Sequence, residues 1–416
     1  MRALLSVMFV WFACFLMGAA PNNQLTLDAA EIRPESGPVG QVIGSLTMGQ
    51  VGEDAFLGLG ISASFISRDW RASIHVPLRL RVHDAEPKHS MMLRMEDWDE
   101  ISDFARLLPL VQYGHAGDPV FVRLGELRGL TLGHGTLVYR YHNNARLNTY
   151  RGGVYGRGDW TIVGTEVLVD DFLSPSLAVL RTFSRPFARM GSVPSAFRKM
   201  RFGLTTGADF RAPTDVQIAQ LSEPEGGHYV VRSREKDFLP MLGFDLELPI
   251  WESDSLHILS YTDLNSVDLQ GLGLHVGLRT EIRFTPLSRL TTRLEYQLAG
   301  DGYLDRYISP FYEVERWSHR SGQTKLAWFR TEAAELLEGT RHGFNVETEY
   351  HLSGWMNLML SYGDTEGQGN SHLLLHASLP EFKGFRCALT YANLGFEGLA
   401  DLADSTGTVF GVSARY

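Results

Sequence analysis

The chain is poor in cysteine, lysine and long apolar runs. Of its two cysteines, Cys14 lies in an apolar N-terminal stretch, which leaves Cys387 alone in the remainder. An intrachain disulfide framework is therefore excluded. Beyond the N-terminus no segment approaches the roughly 20 consecutive apolar residues of a spanning helix. No linker or composition break divides the chain, so one large domain is expected rather than two. No fixed repeat is visible, which argues against a propeller or β-helix. A net charge of −10 argues against nucleic acid as a partner.

What is present is organised. Met1-Arg2 precedes an apolar run from Ala3 to Met17, then the small residues Gly18, Ala19 and Ala20 and the polar Asn22-Asn23-Gln24. This is the layout of a secretory signal peptide, expected over 1–20, with a polar lead-in over 21–40. The rest carries 42 glycines and an 11% aromatic share at a near-neutral mean hydropathy of −0.10. Alternation with a period of two recurs along it. Over 69–83, Ala72, Ile74, Val76, Leu78, Leu80 and Val82 oppose Arg71, Ser73, His75, Arg79, Arg81 and His83. Over 271–299, Leu272, Leu274, Val276, Leu278, Ile282 and Phe284 oppose His275, Arg279, Glu281 and Arg283. After Thr285-Pro286-Leu287-Ser288, Leu290, Leu294, Tyr296 and Leu298 oppose Arg289, Arg293, Glu295 and Gln297.

The chain ends in the same pattern: Thr408, Phe410, Val412, Ala414 and Tyr416 share one face of a final strand. Together with the leader and the alternating runs, this end resembles the bacterial outer-membrane β-barrel class. In that class a terminal aromatic strand is read by the insertion machinery, which would assign Phe410, Val412, Ala414 and Tyr416 as the assembly signal. The resemblance covers 41–416 and implies an all-β fold, a transmembrane antiparallel up-and-down barrel of about 14–20 strands, with 18–20 the best fit. A soluble β-sandwich alternates too, but its strands are usually about five or six residues long, whereas many runs here continue well past that. The expected strands include 132–142, 149–156, 177–187, 306–315 and 322–330. Tight links near 157–159, 251–254, 285–288, 353 and 380–383 alternate with long ones at 84–118, 211–237, 331–340 and 395–405. The tight side is expected to be periplasmic, with both termini on it. Met95 to Val111 reads as a helix in the longest loop, with Trp98, Ile101, Phe104, Ala105 and Leu108 at helical spacing. It is the expected constriction of the lumen. Thr331 to Leu337 reads as a shorter helical stretch.

Between 120 and 205 there are eleven arginines and one lysine against five acids. Parity turns Arg71, Arg79, Arg81, Arg123, Arg140, Arg151 and Arg201 inward, and Arg279, Arg283 and Arg293 with them. Arginine pairs carboxylates and phosphates in a planar fork, so such a wall would favour anions. Glu126, Glu166, Asp170, Glu281, Glu295, Glu347 and Glu349 are the expected counter-charges, and pairing with them is the competing reading of the same arginines.

His134, Arg140 and His142 share a parity, and Asp170-Asp171 with His142 could mimic a barrel protease. No local spacing supplies a nucleophile, base and orienting group, so no catalytic residue is assigned. His372 with His376 and His75 with His83 lack a carboxylate or cysteine to complete a metal site, so no metal and no cofactor is expected. The residues before the first strand are too few for the plug of a gated uptake receptor. The expected function is a channel for small hydrophilic, anionic solutes. The alternatives are export of an acidic polysaccharide, a non-conducting structural or adhesive barrel, and a barrel hydrolase acting on lipid or peptide. Expected partners are outer-membrane lipid and lipopolysaccharide, the barrel assembly machinery and small-molecule solutes. Trimers are common in this class, and the sequence argues neither for nor against a homotrimer.

Overall fold

The computed structural model describes residues 38–415, apart from 52–53, 84–92, 116, 147–148, 221–228, 318, 320–322, 334–336, 353–354, 368–370, 380–385 and 397–407. The leader, most of the lead-in and Tyr416 lie outside the described residues.

Strand formation follows the alternation. The strands are β1 Val39–Val51, β2 Asp54–Ile66, β3 Trp70–His83, β4 Leu110–Tyr113, β5 Val120–Gly125, β6 Gly153–Asp159, β7 Val163–Val169, β8 Leu177–Ser184 and β9 Arg201–Pro213. A small hairpin, β10 Gln217–Gln220 with β11 Tyr229–Arg232, interrupts the series. It resumes with β12 Lys236–Glu252, β13 Leu256–Val267, β14 Gln270–Thr285, β15 Ser288–Ala299, β16 Arg341–Leu352, β17 Met356–Thr365, β18 Ser371–Ser378, β19 Arg386–Phe396 and β20 Thr408–Arg415. Each pairs antiparallel with the next, β9 passing directly to β12, in one 18-stranded up-and-down sheet. The fold class and strand number expected from the sequence are what the structure has. Among the described residues no ladder joins β1 to β20.

The two faces of this sheet are inverted relative to a water-soluble protein. On β14, Leu272, Leu274, Val276 and Leu278 are all exposed, Val276 by 45%, whereas His275 between them is 0% exposed. Phe202, Leu204, Phe244, Leu264, Leu294, Tyr296 and Phe344 on neighbouring strands are exposed in the same way. The concave face buries Arg181, Glu247, Asp263, Glu295, Arg293 and Asn345. Glycines on that face make room for rings: a Cβ at Gly277 would sit 2.1 Å from the Tyr261 ring. Apolar side chains outside and ion pairs inside are the arrangement that lipid imposes on a spanning sheet.

Three expected strands are not strands. Residues 132–142 belong to a segment, 126–152, that leaves the wall after β5 and enters the lumen. Gly129, Gly133, Gly135 and Arg140 all have positive φ, which breaks the pleat. Leu130 and Tyr141 bridge each other, and Val138 bridges Ile308 in parallel. Leu132, Leu137, Val138, Tyr139 and Tyr141 are all buried, so both parities of the run are enclosed. Its alternation arose because polar wall and apolar filling meet it from different sides.

Residues 306–315 and 322–330 belong to a second inserted segment, 300–340. Arg306 has positive φ, and Tyr312–Glu315 and Lys325–Arg330 are short helices. Thr324 caps the second by accepting from the Ala327 N–H at 3.1 Å. The two segments share an apolar core built on Leu137, Val138, Tyr141, Tyr307, Ile308 and Trp328, backed by Leu168, Leu177 and Leu239 of the wall.

The expected helix at 95–111 is two 3-10 turns, Met95–Asp97 and Ile101–Leu107, followed by the missed strand β4. Those turns lie against β3 and the end of the first segment: Arg79 holds Asp97 and Asp103 accepts from the Tyr150 N–H. Among the described residues it is segment 126–152 that reaches strands far along the sheet. The expected strand 149–156 starts later, at Gly153.

The expected order of long and short links is met in part: 251–254 and 285–288 hold tight turns at one end and 211–237 and 331–340 lie in long links at the other, but the link 185–200 is long on the tight side, 268–269 is short on the long side, and 157–159 is the end of β6. The end of the sheet that carries 160–162, 253–255 and 286–287 also holds the start of β1 and the end of β20, as an even-numbered meander requires. The opposite end carries 84–109, 126–152, 214–235 and 300–340.

Candidate functional site in the lumen

The site is the first inserted segment and the walls around it. Its base is fixed at the top of β5 and β6. Asn143 accepts from the Leu127 N–H at 2.8 Å and donates to the carbonyls of Gly125, Arg151 and Asp170. From there the segment reaches strands far along the sheet. Gly133 N–H donates to Glu166 of β7 at 3.2 Å. His134 Nδ1 lies 2.8 Å from Asp263 of β13, and its Nε2 lies 3.3 Å from Glu247 of β12. Thr136 donates to the other Asp263 oxygen at 2.6 Å and receives the Asn265 amide at 2.9 Å. Tyr139 donates to Glu347 of β16, and its hydroxyl lies 3.1 Å from the Ser361 hydroxyl of β17.

The second segment closes over the first. Arg306 and Ile308 N–H groups donate to the carbonyls of Thr136 and Leu137. The Arg306 guanidinium stacks on the Tyr139 ring, approaches Glu295 at 3.6 Å and donates to His372 Nε2 at 3.1 Å. Arg316 binds Asp209 at 2.8 Å and Glu313 at 3.5 Å, all three buried. A cavity of about 10 Å³ beside the tip, lined in part by Arg181, Asp245, Asp263 and Asn265, is of one-water size.

Electrostatically the segment has two sides. Burial works against a charged His134, but Asp263 and Glu247 outweigh it and hold the imidazole up to about 9. It is an imidazolium at neutral pH. His142 is the opposite case: burial first, then Arg128 and Arg140, push it down to about 3. Arg146 is lowered to about 10 by burial and by Arg151, and its charge lies over the Trp317 ring.

The expected arginine wall is largely paired. Arg79 meets Asp97 at 3.1 Å, Arg81 meets Asp54 at 3.1 Å, and Arg201 meets Glu247 at 2.7 Å. Arg293 reaches Glu347 at 3.5 Å and donates to the His134 carbonyl. Arg283 pairs with Glu281 at 2.8 Å. Arg151 binds Asp170 at 2.5 Å and Glu313 at 3.0 Å, from the loop before β6. Arg140 sits on the inserted segment, 3.9 Å from both Glu347 and Glu349. Arg71 is buried on β3 opposite Gln112. Arg123 is half-buried on β5, and its Nε has no hydrogen-bond partner. Arg279 is exposed across the ladder from Arg293.

Among the counter-charges, Glu126 pairs with Arg128 at 2.8 Å and Glu166 with Arg181 at 3.1 Å. Glu295 accepts from Tyr261 at 2.6 Å and Asn345 at 3.1 Å, and Glu349 accepts from Asn357 at 3.3 Å. Asp170 and Asp171 are engaged by Arg151, Ser176 and Ser102. His75 meets Ser62 at 2.7 Å and His376 meets Thr390 at 2.9 Å, and among the described residues no three metal-ligating side chains converge. Of the terminal signal, Phe410 is exposed on β20.

Arg181, Asp245, Asp263, Asp209, Arg306 and Arg316 were not singled out from the sequence. Arg181 shares its parity with Leu177, Val179 and Phe183, so it was hidden in a face that looked apolar. The last two lie in segments read as strands or loop.

No family model matches the chain, and no curated protein matches it. Among solved structures, the outer membrane protein OprD from Pseudomonas aeruginosa is 8% identical, at TM-score 0.38, over 93% of this chain and 96% of that one. Acinetobacter baumannii OccAB4 is 8% identical, at TM-score 0.38, over 91% and 94%. Salmonella typhi OmpF, in complex with daunomycin, is 10% identical, at TM-score 0.30, over 91% and 94%. These likenesses are loose, and the functional reading rests on the chain's own geometry.

Proposed function

We propose that the chain closes as an outer-membrane β-barrel channel for small hydrophilic solutes, with a preference for anions. The observation that carries this reading is the inverted sheet: apolar side chains on the convex face and ion-paired polar ones on the concave face. The tight links then face the periplasm with both termini, and the long links face outward.

Anion preference is supported by an excess of cations beside segment 126–152. Arg128 and Arg140 lie near a neutral His142 and Arg123 lies near Arg128, with Glu126 on Arg128 at 2.8 Å and Glu347 and Glu349 each 3.9 Å from Arg140. Arg279 is exposed toward the end with short links. The pairing elsewhere and the packed core between the inserted segments favour a second reading, a non-conducting structural barrel.

The short wall supports self-association. Strands β4 to β8 have four to eight residues, fewer than the roughly 9–11 that a tilted spanning strand needs. Their outward positions include the small or β-branched Val122, Val154, Gly156, Thr165, Val167 and Ala178 beside Tyr113, Leu124 and Leu180. A second copy would cover this wall better than lipid would, as in a homotrimer.

The test is a planar bilayer under a salt gradient. A reversal potential of anion-selective sign supports the channel and its charge. Cation selectivity would remove the arginine argument, and no conductance from correctly folded protein would leave the structural barrel.

A further inference from the structure

Segment 126–152 crosses the lumen with its tip fastened at one point above all. His134 sits between two carboxylates from different strands, Asp263 at 2.8 Å and Glu247 at 3.3 Å. Its ring also stacks on Tyr261, with centroids 4.2 Å apart and planes 11° from parallel. Neutral imidazole donates one hydrogen bond, whereas imidazolium donates two, so only the charged ring satisfies both acids. The tip is also held by Arg293 on the His134 carbonyl, Gly133 on Glu166, Thr136 on Asp263 and Asn265, and the Arg306 N–H on the Thr136 carbonyl, but none of these joins two carboxylates of different strands. Positive φ at Gly133 and Gly135, on either side of His134, puts compact turns there, so the tip has little regular structure of its own.

We propose that His134 is a charge-operated latch: as imidazolium it bridges Asp263 and Glu247 and keeps the segment across the lumen, and loss of that charge releases the tip and widens the passage. The inference builds on the channel reading for its consequence, but the latch itself is a property of the fold.

Every packed element contributes a charge near this ring. Asp263 and Tyr261 face it from β13, Glu247 from β12 and Arg293 from β15. Arg201 of β9 neutralises part of Glu247, while Arg181 of β8 packs near Gly133 and binds Asp245 and Glu166. Thr136 of the segment itself occupies the second Asp263 oxygen. The latched form has the raised proton affinity. Its stabilisation is therefore complete below the ordinary histidine value near 6.5 and is lost as pH rises through about 9. That difference corresponds to about a 300-fold change in the latched-to-released ratio, at ten-fold per pH unit.

The experiment compares wild type with His134→Gln, which keeps one donor and removes the charge. Amide hydrogen exchange across 126–152 is measured in folded, detergent-solubilised protein at pH 7, and conductance is followed from pH 7 to 10. The latch predicts exchange faster by a factor of order 100 at the tip of the variant. It also predicts wild-type conductance that climbs through pH 9, and variant conductance that is high and flat. Unchanged exchange in the variant overturns the latch, even where both proteins conduct. Faster exchange without conductance in either protein supports the latch and sinks the channel reading instead.

Discussion

Val276→Arg asks whether the convex face meets lipid. Val276 lies near the middle of β14, points outward and is 45% exposed, with Leu274 and Leu278 exposed on either side of it. In a soluble sheet, an arginine at so open a position would change stability by no more than about 0.5 kcal/mol. In a bilayer the same guanidinium would lie near the midplane, where lipid-facing arginine costs about 2–4 kcal/mol. That cost is a roughly 30- to 900-fold shift of the unfolding equilibrium. Depth supplies the internal control. Leu272 shares the face and is 58% exposed, but it lies close to the end of the strand. Leu272→Arg should cost only about 0–1 kcal/mol, because its charge reaches the interface. The assay is denaturant titration of each variant folded into phospholipid vesicles, read by tryptophan fluorescence. Equal costs at the two positions, or costs below about 0.5 kcal/mol at both, would refute a lipid-facing sheet.

Other perturbations probe the filling and the short wall. Trp328→Ala removes a side chain that is 1% exposed in the shared core, and should cost about 3–5 kcal/mol while raising the entry of small dyes into liposomes; swelling assays at matched protein content check this. Arg316→Met leaves Asp209 and Glu313 buried without their shared cation and should cost about 3–5 kcal/mol in thermal unfolding. Adding Asp209→Asn should recover part of that loss. Thr165→Cys in a Cys387→Ser background should form cross-links between copies under mild oxidation, and the same cysteine at Leu274 should not.

The wall was legible in the sequence because lipid and lumen impose the strict period of two that β14 and β15 display. The filling was not. Residues 132–142 alternate as well as a strand does, but they are enclosed on both sides, and the glycines at 129, 133 and 135 were the only local sign of departure. Residues 322–330 were expected as a strand, although Thr324 could have been read as a helix cap. The arginines were legible as inward-facing by parity. Their partners were not, because pairing in the lumen joins residues remote in the chain. His134 and Asp263 are 129 positions apart, and Tyr139 and Glu347 are 208 apart. Short-range spacing holds no record of such contacts, so a wall of cations and a network of ion pairs look alike from the sequence.

The central claim is that one face of this sheet meets lipid while the other encloses a filled polar lumen. A nitroxide scan along β14 in lipid vesicles tests it most directly, by comparing collisions with oxygen, which concentrates in the bilayer, and with a water-soluble nickel complex. The account predicts strong oxygen contact at positions 272, 274, 276 and 278 and weak contact with either reagent at 273, 275 and 277. Nickel contact at 274 and 276 equal to that of a freely exposed label would contradict it.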